Sequence, residues 1–104
     1  MIPYLHFHEA FPGQQVTNTE CFVERPDDFH TYLLEWSPDA ITISYDGVPC
    51  LVSTWQARGL APPAPFDMPF FLNLTQALGK APNAPISDLP LPATLDVDYV
   101  RVWS

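Results

Sequence analysis

The sequence predicts an all-β protein, an antiparallel β-sandwich, and three observations support that prediction. Thirteen of the 104 residues are proline, which is too many for helices, because each proline removes a backbone donor and fixes φ. The segments between the prolines are short, and several alternate apolar and polar positions as strands do. An Asp46-Gly47 pair between two such segments is typical of a tight hairpin turn. Short strands with frequent turns are typical of a sandwich.

The expected strands follow one another along the whole chain, which is long enough for one small domain, residues 1–104. The hairpin around Asp46-Gly47 joins two of them, and a final long segment alternates most clearly. Residues 76–80 are compatible with one helical turn. The expected strands are residues 4–8, 19–23, 29–36, 41–45, 48–53, 70–75 and 95–103.

Charge and hydropathy argue against two classes of partner. The sequence has twelve acidic and four basic residues, for a net charge of -8. Because the basic residues are scattered, the sequence predicts no nucleic-acid partner, which would need clustered Lys and Arg. No apolar run approaches the roughly 20 residues of a membrane span, so no membrane partner is expected. Residues 1–4 do not resemble a secretory signal, and the localisation stays open.

The two cysteines allow one internal disulfide at most. Cys21 and Cys50 are too far apart in sequence for a metal-binding pair, and neither has a second cysteine nearby. Two buried free thiols are the alternative that we favour.

A complete catalytic set is not predicted. Paired carboxylates on one strand face occur only at Asp96 and Asp98, where solvated or turn-bonding aspartates are the better interpretation. The sequence contains no Gly-x-Ser-x-Gly nucleophile motif and no Gly-rich phosphate loop.

A row of polar rings near the start is the first binding candidate. On a strand, Tyr4, His6 and His8 point to the same side. Two histidines at this spacing suit a metal, but a third ligand is not indicated. A row lining a polar cleft and a merely exposed polar face are the two better alternatives.

Three tryptophans form the second group of candidates. Trp36 and Trp103 lie in apolar strands and are expected in the core. Trp55 follows a strand at the mouth of a loop, so it is either a core residue or an exposed platform that stacks on a sugar ring.

Four segments together resemble the C-terminal half of a glycoside hydrolase family 16 domain, the β-glucanase and laminarinase family. The first and last are the most specific, and order and spacing match across about residues 28–104. The segments are residues 29–38 (Phe-His-Thr-Tyr-Leu-Leu-Glu-Trp-Ser-Pro), 43–48 (Ile-Ser-Tyr-Asp-Gly-Val), 65–79 (Pro-Phe-Asp-Met-Pro-Phe-Phe-Leu-Asn-Leu-Thr-Gln-Ala-Leu-Gly) and 98–103 (Asp-Tyr-Val-Arg-Val-Trp).

The resemblance implies a concanavalin A-like jelly roll and retaining hydrolysis of β-linked glucans. In that family the catalytic carboxylates come from a Glu-x-Asp-x-x-Glu strand, and this sequence contains no such motif. By position the motif would lie before Met1. The resemblance therefore implies a C-terminal part of the domain that is inactive alone, with a non-catalytic lectin-like carbohydrate-binding module as the alternative.

The resemblance also implies which residues contact a β-glucan or related polysaccharide. The family's polar row would fall on Tyr4, His6 and His8, and its cleft asparagine on Asn73. Strand alternation adds Thr75, and Gln76 follows it. Some members bind calcium through an aspartate that matches Asp98, but the other ligands would be missing, so no complete calcium site and no other cofactor are expected. Unpaired strand edges predict self-association.

Overall fold

The described part of the chain contains one antiparallel sheet. The computed structural model describes residues 1–7, 10–77, 79 and 92–104. These divide into two units, Met1–Pro69 and Phe70–Ser104. The first unit holds the strands β1 (Tyr32–Trp36), β2 (Ile41–Tyr45) and β3 (Val48–Ser53), in the spatial order β1-β2-β3. No helix occurs among the described residues. The all-β, antiparallel prediction is confirmed, whereas the second sheet of a sandwich stays a prediction.

The hairpin of β2 and β3 is formed as predicted. Tyr45 pairs with Val48 across the turn. Asp46 and Gly47 both have positive φ, at 50° and 80°. A two-residue turn with positive φ at both positions matches the right-handed twist of the flanking strands. Glycine adopts this conformation without strain, and aspartate tolerates it better than most residues.

β1 begins later than predicted, at Tyr32 rather than Phe29. The reason lies in the residue before it. The Thr31 amide donates to the Asp46 carboxylate at 2.9 Å, and the Asp46 amide donates to the Thr31 carbonyl at 2.9 Å. The start of the expected strand is therefore bonded to the hairpin turn, and the regular ladder with β2 begins one residue further on.

The core of the first unit lies on one face of this sheet. Cross-strand partners Ile43 and Leu51 lie on this face together with Ile41. Each side chain of this kind contributes about 1.5–3 kcal/mol when it is fully buried. The buried cluster consists of Leu5, Ile41, Leu51 and Trp55, with Phe7, Ile43 and Phe66 packed against it.

A disulfide joins Cys21 to Cys50, and the preference for free thiols is wrong. Their Cα atoms are 5.5 Å apart, and 29 positions separate them in sequence. The Asn18 side-chain amide donates to the Cys50 carbonyl at 2.8 Å, so the segment before Cys21 is already held against β3. Proximity of this kind is set by the tertiary fold, which explains why spacing alone did not reveal the pairing.

The second unit differs most from the sequence-based expectation. Its described residues, 70–77, 79 and 92–104, form no strand, although residues 70–75 and 95–103 were expected to do so. An alternating pattern becomes a strand only when a neighbouring strand accepts and donates its backbone hydrogen bonds. The expected helical turn at 76–80 includes Leu78 and Lys80, which lie outside the described residues. The search of the described residues finds no helix able to span a membrane.

Candidate functional site

Two of the three predicted polar rings lie side by side on the surface. The Tyr4 and His6 rings have centroids 5.8 Å apart and are tilted by 37°. Both are exposed, whereas the intervening Leu5 is buried and Phe7 packs against the core. The prediction that Tyr4 and His6 share one side is confirmed. His8, the third member, lies outside the described residues.

Backbone and hydroxyl bonds hold this exposed pair in position. The Leu5 amide donates to the Val16 carbonyl at 2.7 Å, and the Thr17 hydroxyl donates to the Pro3 carbonyl at 2.8 Å. Tyr4 and Thr17 form an isolated antiparallel bridge rather than the longer strand that was expected. Residues 19–23, the other weak candidate, form no strand. A single bridge is enough to set the alternation that exposes the two rings.

The exposed Tyr4–His6 pair offers both hydrogen-bond donors and acceptors. A phenol hydroxyl and an imidazole both donate and accept hydrogen bonds, as sugar hydroxyls require. The described residues contain no group of three or more His, Cys, Asp or Glu that could hold an ion, and His8, the second histidine of the metal alternative, lies outside them. The polar-cleft and exposed-face alternatives both remain compatible with this geometry.

Trp55 is a core residue, so the first of its two alternatives holds and the exposed sugar-stacking platform does not. Its side chain is only 6% exposed. The indole Nε1 donates to the Pro63 carbonyl at 3.0 Å, and the ring meets Phe66 edge-on at 5.0 Å. Trp55 continues the alternation of the buried Leu51 and Ser53, because each lies two positions after the one before. This continued alternation beyond β3 is the sequence signal that could have identified Trp55 as buried.

Trp36 and Trp103 are exposed, so the prediction that they are core residues is wrong. Trp36 is 44% exposed and Trp103 is 70% exposed. Trp36 ends β1, which has β2 on one side and no other strand neighbour among the described residues. It lines a shallow depression with Glu35, Ser37, Ala40 and Thr42. At about 220 Å³, this depression is smaller than the roughly 300–1,000 Å³ of typical small-molecule pockets.

A histidine–aspartate pair that the sequence analysis did not single out lies beside the hairpin turn. His30 Nδ1 is 2.7 Å from Asp46 Oδ2, and His30 Nε2 is 2.8 Å from the Arg25 carbonyl. The carbonyl bond and the Asp46 bond raise the pKa of His30. The amide of Thr31 and then His30 lower the pKa of Asp46.

This pair is not a catalytic base in the described geometry, because both ring nitrogens already have partners. Next to it, the rings of Tyr32 and Tyr45 meet edge-on at 5.0 Å. Burial raises the pKa of Tyr45, and Tyr32 adds to the effect. The His30–Asp46 pair fixes the Asp46–Gly47 turn against the segment before β1, because His30 bonds both Asp46 and the Arg25 carbonyl. The sequence signal for this pair is the Asp46-Gly47 turn together with His30, which stands just before β1.

The second unit carries the remaining predicted sugar contacts. Asn73, Thr75 and Gln76 are all exposed. The Thr75 hydroxyl donates to the Asn73 side-chain oxygen at 3.2 Å, so two of the three are brought together. A linked hydroxyl and amide offer both donors and acceptors to a polar ligand.

Asp98 does not form a calcium site with the described residues. Its side chain is exposed in the second unit, as is Asp96. Calcium takes about 6–8 oxygen ligands, and the search of the described residues finds no cluster of three carboxylate, cysteine or histidine groups. A calcium ion at Asp98 would therefore need ligands from elsewhere.

The chain is similar to curated carbohydrate-active and carbohydrate-binding proteins. It is 39% identical over 114 residues to the glucan endo-1,3-beta-glucosidase A1 of Niallia circulans, covering 95% of this chain and 16% of that protein. It is 34% identical over 76 residues to the keratan-sulfate endo-1,4-beta-galactosidase of Sphingobacterium multivorum, covering 73% of this chain and 18% of that protein. It is 35% identical over 78 residues to the beta-1,3-glucan-binding protein of Hyphantria cunea, covering 57% of this chain and 16% of that protein.

The similarity covers most of this chain but little of its relatives. The chain spans less than a fifth of the length of each of these three proteins, between 16% and 18%. No family model matches the chain. No solved structure matches it. By name, one of these relatives is an endo-glucosidase, one is an endo-galactosidase and one is a glucan-binding protein.

Proposed function

We propose that this chain is part of a glycoside hydrolase family 16 domain, a concanavalin A-like jelly roll that acts on β-linked glucans. The observation that carries the proposal is the 39% identity across 95% of the chain to a glucan endo-1,3-beta-glucosidase. The resembling segments 29–38 and 43–48 include β1 and the β2–β3 turn. The all-β architecture of the first unit is compatible with this fold class.

The proposed contribution of this chain is substrate binding rather than bond cleavage. Retaining hydrolysis requires two carboxylates about 5–5.5 Å apart, one as nucleophile and one as acid/base. This chain has no Glu-x-Asp-x-x-Glu motif to supply them. In the complete domain, one carboxylate attacks the anomeric carbon while the other protonates the leaving oxygen, and water then releases the sugar. The chain alone is expected to release no reducing ends from a β-glucan.

The proposed sugar contacts are the exposed polar groups of each unit. In the first unit these are Tyr4 and His6, with His8 added by the resemblance. Their rings offer apolar faces for the C–H surfaces of a sugar, and their polar atoms bond its hydroxyls. In the second unit, Asn73, Thr75 and Gln76 offer an amide, a hydroxyl and a second amide. Trp55 is omitted as a stacking platform because it is buried.

Sedimentation with insoluble β-1,3-glucan tests this assignment. The wild-type chain is expected to sediment with the glucan, and Tyr4→Ala and Asn73→Ala to bind several-fold more weakly. Phe22→Ala is a matched control for Tyr4→Ala, because Phe22 is 57% exposed and Tyr4 is 55% exposed. Equal sedimentation of all three variants, or none of the wild type, would contradict the assignment.

A second candidate function is a non-catalytic, lectin-like carbohydrate-binding module. The observation in its favour is the 35% identity to a beta-1,3-glucan-binding protein. The two candidates differ in the reaction of the full-length gene product. Release of reducing ends from β-1,3-glucan with retention at the anomeric carbon supports the hydrolase. Glucan binding without any release supports the module.

A further inference from the structure

The bonds of His30 require both of its ring nitrogens to donate. The carbonyl oxygen of Arg25 only accepts hydrogen bonds, and so does an ionised Asp46 carboxylate. A neutral imidazole has one N–H and can serve only one of these acceptors. The observed geometry, at 2.7 Å and 2.8 Å, is therefore that of an imidazolium.

The same bonds close one end of the segment at residues 22–29. At its other end, the segment is tied to β3 by the Cys21–Cys50 disulfide. Between the two ties, the Asp28 amide donates to the Arg25 carbonyl at 3.0 Å, and Arg25 and Asp28 form an exposed ion pair at 3.0 Å. The segment is thus tied covalently at Cys21, and its other end is held by the imidazole bonds of His30 and by the two bonds between Thr31 and Asp46.

We propose that His30 is a protonation-dependent clamp, which fastens the 22–29 segment to the Asp46–Gly47 turn when the imidazole is charged and releases it when the imidazole is neutral. Release breaks one of the two imidazole bonds, while the disulfide keeps the Cys21 end in place. The Thr31 amide and carbonyl stay bonded to Asp46 at the other end, so the released segment is a loop anchored at both ends. The clamp is independent of the proposed glucan activity, because neither Tyr4 nor Asn73 takes part.

The charged groups around His30 set the direction of the pH response. Asp46 faces the ring from the turn, and Asp28 adds a second negative charge from the segment itself. The ring of Tyr32, on β1, lies 6.5 Å from the His30 ring, measured between centroids. Arg25 contributes its carbonyl, while its guanidinium is paired with Asp28.

The sign of the effect follows from these neighbours. The pKa of His30 is raised above its ordinary value of 6.5. Its stabilising contribution is therefore complete below that value and is lost as the pH rises through the folded-state pKa. Asp46 stays ionised throughout this range, because its pKa is lowered from 3.8. The clamp is closed in mildly acidic solution and opens toward alkaline pH.

Nuclear magnetic resonance of the ¹⁵N-labelled chain tests the clamp directly. Long-range ¹H–¹⁵N spectra recorded from about pH 5 to about pH 9 report the protonation of each ring nitrogen. Both His30 nitrogens are expected to carry protons at about pH 6, with a transition above the ordinary value. Amide exchange of residues 26–31, corrected for its intrinsic pH dependence, is expected to rise by about tenfold across that transition.

Two variants separate the clamp from a general loosening of the fold. His30→Gln removes the titrating group, so its corrected exchange at residues 26–31 is expected to be independent of pH. His6→Gln is the matched control, because it removes an exposed histidine outside the clamp and is expected to keep the wild-type response. A singly protonated wild-type His30 at about pH 6, or the same pH response in His30→Gln, would overturn the proposal. If His30→Gln does not fold, the wild-type spectra alone decide.

Discussion

Alternate residues from Leu51 to Ala57 turn into the core of the first unit, with exposed fractions between 1% and 6%. Trp55 belongs to this row because of its parity, and its indole N–H bonds the Pro63 carbonyl. Trp36 has an equally apolar side chain but lies at the end of an edge strand, where it is 44% exposed. Side-chain type alone does not distinguish these two tryptophans, whereas strand parity and position in the sheet do.

Replacing Trp55 by alanine is expected to lower the free energy of unfolding by about 3–5 kcal/mol, because it leaves a cavity in the core. Trp36→Ala, the matched control on the surface, is expected to cost far less. Urea denaturation of both variants measures the difference. A cost for Trp36→Ala equal to that for Trp55→Ala would contradict the core described here.

The Asp46 carboxylate gives a second prediction at the residue scale. Its pKa is lowered from 3.8, chiefly by the Thr31 amide, so its contribution is present above that pH and is lost as the pH falls through the lower, folded-state value. The stability difference between wild type and Asp46→Asn is therefore expected to be largest near neutral and mildly acidic pH. Thermal unfolding measured down the pH scale should show this difference vanish in strong acid. A constant difference would exclude the carboxylate as its cause.

The elements that formed as predicted are those encoded by local chemistry. The Asp46-Gly47 pair specifies its own turn, and β2 and β3 lie within reach of it. Residues 70–75 and 95–103 alternate as strands do but form none in the described structure. Their partners would be distant in sequence, and an alternating pattern does not encode which edge a strand joins.

The Cys21–Cys50 tie stabilises the first unit by limiting its unfolded state. A closed loop of 29 residues is expected to contribute about 3–4 kcal/mol in the chain-entropy description. Replacing both cysteines by serine should lower the free energy of unfolding by about that amount. Reduction of the wild type should have the same effect and leave the double variant unchanged. A wild type insensitive to reductant would rule out this contribution.

In the candidate site, as in the secondary structure, the sequence predicted the features that depend on neighbouring residues and missed one that depends on the tertiary fold. The shared side of Tyr4 and His6 follows from the two-residue period of an extended chain, which a single bridge preserves. Asn73 and Thr75 are joined by a side-chain hydrogen bond, although the strand expected at residues 70–75 is not formed. The His30–Asp46 pair joins residues 16 positions apart. It depends on the exact position of β1 against the hairpin, which no local pattern contains.

On the scale of the whole molecule, two features act on self-association in opposite directions: a net charge of -8 and exposed apolar side chains. Leu34 and Trp36 on the edge strand β1 are both exposed. An exposed edge of this kind is a template for pairing with another chain. Mutual repulsion between acidic copies opposes such pairing, and salt screens the repulsion.

The chain is therefore expected to self-associate, and more so at high salt. Sedimentation velocity across a concentration series measures this. Leu34→Lys is expected to weaken association, whereas Phe22→Lys, which changes an exposed ring outside the sheet, is expected to have a smaller effect. A single monomeric species at every concentration and salt level would contradict the expectation.

The proposed function requires that this chain contact β-glucan through the exposed polar groups of its two units. Titration of the labelled chain with a linear β-1,3-gluco-oligosaccharide, followed by nuclear magnetic resonance, tests it most directly. Saturable shifts are expected at Tyr4 and His6 and at Asn73 and Thr75, with the buried Trp55 little affected and no oligosaccharide cleaved. Absence of shifts at all four positions at millimolar oligosaccharide, or cleavage by the chain alone, would contradict it.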